Sequence, residues 1–177
     1  MGPLILKSFI EPRMYRRGID EIPYDRLWQS GIRALIFDID NTLAPFDEPG
    51  PAETVVSLFA GLKERGFRIC LLSNNGAERV ALFNGSLGAH AVHRAGKPRR
   101  AGLKKALALM NVTAGETALI GDQLFTDILC GNRGGLYTIL VRPVSGRDEF
   151  TVRLKRAPEA FLLRYYLKRH DEKNENG

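Results

Sequence analysis

Ile36-Phe37-Asp38-Ile39-Asp40-Asn41-Thr42-Leu43, residues 36–43, decides the fold of this chain. The apolar run Leu35, Ile36, Phe37 has the composition of a buried strand, and it delivers two carboxylates, two residues apart, to the point where that strand ends. Side chains alternate along a strand, so Asp38 and Asp40 share a side only while the backbone stays extended. Ending the strand there frees both for one task, with Thr42 following as a hydroxyl partner. Two acids this close repel unless a cation or a shared proton compensates them. A hard divalent ion such as Mg²⁺ suits an all-oxygen site. The stretch therefore predicts a nucleophile, an acid/base and a metal site on one loop. Two solvated turn aspartates would account for an isolated pair, and the rest of the chain decides between the two.

Outward from this stretch, strand-like runs alternate with helix-like segments. Strands are expected at about 33–38, 68–73, 89–93, 117–121 and 137–141, and helices at about 51–65, 76–84, 98–110 and 126–131. The helix at 51–65 carries Val55, Leu58, Phe59 and Leu62 on one face, with Pro51 at its start and Gly66 as its stop. Gly134-Gly135 ends the short helix before the last strand. The alternation predicts an α/β fold: a doubly wound, Rossmann-like, mostly parallel sheet with helices on both faces. One domain is expected over residues 1–177, with its core at about 31–145. A basic N-terminal arm over 1–30 and a C-terminal segment over 146–177 flank that core.

A chain of 177 residues, 44% hydrophobic and 26% charged, is large enough to bury a core and ordinary for a globular protein. Its net charge of +6 is unevenly placed. Residues 1–17 hold four basic groups against one acid, residues 151–177 hold seven against four, and 18–150 balance fifteen with fifteen. Bulk binding of nucleic acid through the body is therefore not expected. Cys70 and Cys130 sit in apolar surroundings without a CxxC pair and read as reduced core residues, which suits a cytoplasmic protein. The residue six after Cys130 is Leu136, so no Cys-x5-Arg phosphate loop exists there. The early apolar stretch at 4–10 is short and contains Lys7, which fits neither a secretory signal nor a membrane span.

In doubly wound sheets the reactive groups collect at the carboxyl ends of the strands. Asp38 and Asp40 end the first strand, Ser73 the second, and Asp122 the strand at 117–121. The Ser73 hydroxyl, Asn74 and the following backbone N–H groups can cradle phosphate oxygens at a helix start, where an ordinary helix cap is the competing explanation. Gly96-Lys97-Pro98 sets a lone cation just before a helix, where it can offset the carboxylates and stabilise a transferring phosphoryl group. A solvated surface charge competes for Lys97, and it is the reading for nearby Arg99, Arg100, Lys104 and Lys105. Asp122 can reach the cation directly, while Asp127 holds a metal water, orients Lys97 or simply caps its helix. An EF-hand is excluded, because the sixth position from Asp38 is Leu43 and the twelfth is Pro49.

In this order, Asp-x-Asp-Asn-Thr, a Ser at the second strand end, Lys-Pro and Gly-Asp-x4-Asp resemble the haloacid dehalogenase (HAD) superfamily of aspartyl phosphatases over roughly residues 33–143. The segments DIDNTLAPFD, LLSNN, GKP and GDQLFTDILCGNRGGLYTILVRPV resemble the YqeG-type subfamily IIIA phosphatases, which are similar to phosphatidylglycerophosphatases. The resemblance implies that Asp38 attacks phosphorus and forms an aspartyl-phosphate. It implies that Asp40 protonates the leaving alkoxide and then deprotonates water. It further implies a Mg²⁺ held by Asp38, the Asp40 main-chain carbonyl and Asp122. Ser73, Asn74 and Lys97 would bind the phosphoryl oxygens, Asn41 and Thr42 would shape the loop, and Asp127 would complete the acidic side.

Spacing bears on substrate. Thirty residues separate Thr42 from Ser73 and 23 separate Ser73 from Lys97, room for one helix and one strand each time. No cap domain fits, so an open, capless site is expected, suited to a phosphate on something large. A homo-oligomer in which a second copy supplies the cover is the competing explanation. The ends mix cations with Phe161, Leu162, Leu163, Tyr165 and Tyr166, and with Leu4, Ile5, Leu6, Phe9 and Ile10. Such segments suit peripheral contact with an anionic membrane, at roughly 1 kcal/mol per near-surface cation. A helix packed on the body competes for the C-terminal one. The expected activity is Mg²⁺-dependent phosphomonoester hydrolysis, with phosphatidylglycerophosphate as the leading substrate. A phosphatase of another phosphoester, or a regulatory binding protein beside a GTPase or a ribosome assembly, is the alternative.

Overall fold

A computed structural model describes residues 9–144. Within them six strands form one sheet: β1 Met14–Arg16, β2 Ala34–Phe37, β3 Arg68–Leu72, β4 His90–Val92, β5 Thr117–Gly121 and β6 Tyr137–Val141. Their order is β1-β6-β5-β2-β3-β4, and every neighbouring pair is parallel. Five helices connect them: α1 Tyr24–Gln29, α2 Glu53–Glu64, α3 Ala77–Asn84, α4 Ala101–Met110 and α5 Leu129–Gly134. The open parallel sheet with helices is the architecture that the alternating pattern predicts.

Alternation along each strand builds two cores. Leu35, Phe37, Ile69, Leu71, Ile120 and Ile139 face a cluster shared with Tyr24 and Leu27 of α1, Val55, Phe59 and Leu62 of α2, and Val80 and Phe83 of α3. Ala34, Ile36, Cys70, Leu72 and Leu119 face the opposite cluster with Leu103, Ala106 and Met110 of α4 and Cys130 of α5. Each such fully buried Leu, Ile or Phe contributes about 1.5–3 kcal/mol relative to an exposed one. Parallel strands covered on both faces read as continuous apolar runs, and β2 is buried at all four positions.

The strand order reverses between β2 and β5, because β3 and β4 build outward on one side and β5 and β6 on the other. Such a switch point opens a crevice at the carboxyl ends of the two strands. Phe37 pairs with Ile120, and the Asp38 N–H donates to the Ile120 carbonyl at 2.9 Å. Asp38 and Asp122 therefore leave the sheet side by side.

Four features depart from the sequence reading. Tyr24–Gln29 folds as the helix α1 within the segment read as an arm. Met14–Arg16 adds an edge strand from within the segment read as an arm; its register is Met14 with Ile139, Tyr15 with Leu140 and Arg16 with Val141. Residues 96–99 form a turn, closed by the Arg99 N–H donating to the Gly96 carbonyl at 2.8 Å, and α4 begins only at Ala101. The helix expected at 126–131 opens instead as a wide π-helical turn over Leu124–Ile128, in which the Ile128 N–H reaches back to the Gln123 carbonyl at 3.1 Å, and then continues as α5. The basic segment at 146–177 and the apolar residues at 4–6 lie outside the described residues.

Candidate active site

β2 ends at Phe37 and the chain turns at once. Asn41 adopts a left-handed backbone (φ 62°), its N–H donates to the Ala44 carbonyl at 2.7 Å, and the Leu43 N–H donates to the Ile39 carbonyl at 2.9 Å. Asparagine tolerates that conformation better than most residues. The turn sends Asp38 and Asp40 to different neighbourhoods. Asp38 enters the crevice and is buried, while Asp40 stays at its half-buried edge.

In the crevice, the carboxylates of Asp38, Asp122 and Asp127 place oxygens within 4.8 Å of one another, and all three residues are buried. Asp122 follows the last residue of β5, and Asp127 returns to it through the π-helical turn, which its own carboxylate fastens by accepting the Gln123 N–H at 3.1 Å. A side chain at Gly121 would collide with Asp127, so only glycine lets this acid sit against the strand end. Thr42 Oγ1 lies 3.4 Å from Asp38 Oδ2 and 3.3 Å from Asp122 Oδ1, a hydroxyl shared between two acids.

Lys97 is the counter-charge. Its Nζ lies 2.5 Å from Asp38 Oδ1 and 2.7 Å from Asp127 Oδ1, with the side chain 3% exposed. Burial disfavours the ammonium, but Asp127 and Asp38 outweigh that and raise its affinity for the proton. Burial pushes the Asp38 carboxyl up to about 7, with Lys97 opposing the rise and Asp127 and Asp40 adding to it. Burial, then the charges of Asp38 and Asp127, raise Asp122 well above the usual carboxylate range. Lys97 belongs to the cluster and not to the solvated face that its basic neighbours form.

Ser73 follows the last residue of β3 and is fully buried, its Oγ accepting the Asn75 N–H at 3.1 Å. The Asn74 carboxamide accepts the Lys97 N–H at 2.8 Å and donates to the Lys97 carbonyl at 3.2 Å. Asn74 thus clasps the lysine backbone with both ends of its side chain, leaving neither aimed at a phosphate. Asp40 meets two residues that sequence reasoning did not assign: Asn75 Nδ2 at 2.5 Å and Arg79 Nη2 at 3.4 Å. Asn75 stood beside the phosphate motif as a signal. Arg79 had none, because only the direction of α3 brings it back over the strand ends.

Three buried carboxylates against one ammonium leave the crevice short of positive charge. Among the described residues one of the acid oxygens, Asp122 Oδ2, is buried without a hydrogen-bond partner, and such groups are costly when left alone. An all-oxygen donor set of this kind fits a hard divalent cation and offers no soft ligand for a thiophilic one.

Comparison with known proteins agrees with this chemistry. The family described as HAD-hydrolase-like matches over residues 94–162. A Bacillus subtilis (strain 168) protein that carries the name "Probable phosphatase YqeG" is 36% identical over 159 residues, covering 90% of this chain and 92% of that one. An Arabidopsis thaliana protein named phosphatidylglycerophosphate phosphatase 1, chloroplastic/mitochondrial, is 29% identical over 175 residues, covering 92% of this chain and 50% of its own length. The chain thus spans about half of that plant relative. A cobalt-bound deoxy-D-mannose-octulosonate 8-phosphate phosphatase of Haemophilus influenzae superposes with a TM-score of 0.50 at 16% identity, covering 63% of this chain and 68% of that one, a likeness of fold.

Proposed function

The chain belongs to the HAD-like hydrolases, in the family of the YqeG phosphatase, and on that premise we propose that it hydrolyses phosphomonoesters in a Mg²⁺-dependent reaction through an aspartyl-phosphate on Asp38. It is a phosphatase of the HAD type. The observation that carries the mechanism is the convergence of Asp38, Asp122, Asp127 and Lys97 in one buried crevice at the switch point of the sheet.

Asp38 and Asp122, with the Asp40 main-chain carbonyl, would hold the ion, and Thr42 would steady both carboxylates. Bound there, Mg²⁺ supplies charge stabilisation for the phosphoryl oxygens and keeps Asp38 ionised. An Asp38 oxygen attacks phosphorus, the ester P–O bond breaks, and the Asp40 carboxyl gives its proton to the leaving alkoxide. Asp40, now a carboxylate, takes a proton from water as that water attacks the aspartyl-phosphate. Inorganic phosphate leaves and Asp38 is restored. Ser73 and the backbone N–H groups after it, with Lys97, bind the equatorial oxygens. Asn74 serves this set by holding the Lys97 main chain in place.

For substrate, the leading reading is phosphatidylglycerophosphate within a single catalytic domain. Beside the catalytic loop lies a cavity of about 710 Å³ whose wall includes Leu43, Ala44, Pro45 and Pro143 together with Arg17, Arg142, Asp20 and Glu48. Its apolar wall suits a greasy leaving group, and Arg17 and Arg142, though matched there by Asp20 and Glu48, offer guanidinium groups to an anionic one. Among the described residues no helix is long and apolar enough to cross a membrane. The test is phosphate release from phosphatidylglycerophosphate in anionic vesicles by the purified protein. Release that requires Mg²⁺ and is lost in Asp38→Asn supports the reading. Release from small phosphoesters alone would remove the lipid and keep the phosphatase.

A further inference from the structure

Resting on the reading of Asp40 as the acid/base, we propose that Arg79 is a positioning residue that aims the Asp40 carboxyl at the leaving group and ties it to the segment after the catalytic loop. Asp40 stands apart from the buried cluster, and no hydrogen bond joins it to Lys97, Asp122 or Asp127 among the described residues. Its carboxylate is held from one side only. Asn75 Nδ2 donates to Oδ2 at 2.5 Å, and Arg79 Nη2 lies 3.4 Å from Oδ1.

The same guanidinium has other engagements. Nη1 donates to the Pro49 carbonyl at 2.9 Å and Nη2 approaches the Phe46 carbonyl at 3.4 Å. Its centre lies 5.4 Å from the centroid of the Phe83 ring, four residues further along α3. Arg79 and Asp40 keep only 19% and 15% of their side-chain surface exposed. One rigid planar fork therefore joins α3, residues 46–49 and the acid/base. A lysine has no fork and cannot reach all three at once. A residue needed only to staple the loop would have no reason to share Nη2 between the Phe46 carbonyl and Asp40. A residue meant to bind substrate would not have its guanidinium taken by two main-chain carbonyls.

A general acid out of position costs most when the leaving group cannot depart without a proton. The experiment measures kcat and KM of the full-length protein on an alkyl phosphate and on p-nitrophenyl phosphate, whose phenolate leaves unprotonated. Arg79→Met should lower kcat on the alkyl ester by ~30-fold or more and on the aryl ester by less than ~5-fold, with KM on each changed by less than ~3-fold. In an Asp40→Asn background the same substitution should change neither further, since the group it serves is gone. Arg79→Lys should behave like Arg79→Met, and added guanidinium should restore part of the alkyl activity of Arg79→Met.

Equal losses on both esters, or a full further loss in the Asp40→Asn background, would overturn the proposal and leave Arg79 a structural staple. Should Arg79→Met not fold, Arg79→Lys is read by the same two substrates. The phosphatase reading is tested separately, by the wild type against Asp38→Asn. If the wild type turns over neither ester, that reading fails and this one with it. If the wild type is active and the leaving-group preference does not move, only the role of Arg79 fails.

Discussion

Lys97 shows how one side chain makes the crevice tenable, because it faces Asp38 and Asp127 at once from a site with almost no access to water. Removing one member of a buried charged pair leaves the other uncompensated, at about 3–5 kcal/mol. Lys97→Met should therefore destabilise the metal-free protein by about that much in urea melts and lower kcat by ~100-fold or more. A variant with wild-type stability would mean that the two acids had simply taken up protons. The Asp38 carboxyl makes a second, pH-dependent prediction. It is held at about 7 in the folded protein against an ordinary 3.8. Between these values the folded state keeps a proton that the unfolded chain has released, so its contribution is complete below about 4 and lost as pH rises through about 7. Thermal melts without metal should fall more steeply across that window for the wild type than for Asp38→Asn. Parallel curves would remove the effect.

At the scale of elements, α4 matters less for its sequence than for how closely its first turn approaches the loop carrying Lys97. A side chain at Gly102 would come within 2.5 Å of the Ala95 carbonyl oxygen and 2.7 Å of its Cα, both backbone atoms with little freedom to yield. Gly102→Ala should cost about 1–3 kcal/mol and shift the Gly96-Lys97 loop, so that activity falls more than stability alone explains. Activity intact at full folding would show that the loop moves without consequence. This contact was invisible in the sequence, where Gly102 is one small residue in an amphipathic helix. What was legible were the long-range consequences of periodicity: the five strands β2–β6, the helices between them, and acids falling at strand ends. β1 was not legible because three residues between arginines, with Tyr15 alone buried, carry no alternation to count. The turn at Leu124–Ile128 was misplaced because it is fastened by the Asp127 carboxylate accepting the Gln123 N–H four residues back, a side-chain bond that helix periodicity does not encode. Arg79 was illegible because its partners Phe46 and Pro49 are more than 29 residues away in the chain.

Across the whole molecule, the two halves of the sheet meet only at β2 and β5, and the acids that end these strands repel each other where the halves join. The fold thus concentrates an unfavourable charge at its own seam, and Thr42 and Lys97 offset it only in part. The unpartnered Asp122 Oδ2 is the remainder of that imbalance. A divalent cation that binds the folded chain and not the unfolded one would therefore strengthen the junction of the two halves as well as serve catalysis. Binding at ~100 times the dissociation constant adds about 2.7 kcal/mol, and each kcal/mol moves Tm by about 2–4 °C in a chain of this size. Mg²⁺ in that excess should raise Tm by about 5–10 °C over protein in chelator, with Ca²⁺ giving less because it prefers more ligands at longer distances. Asp122→Asn should abolish the increment. It should also raise the Tm of the metal-free protein, since one of the repelling acids is gone. An increment that survives Asp122→Asn would place the ion somewhere other than the seam.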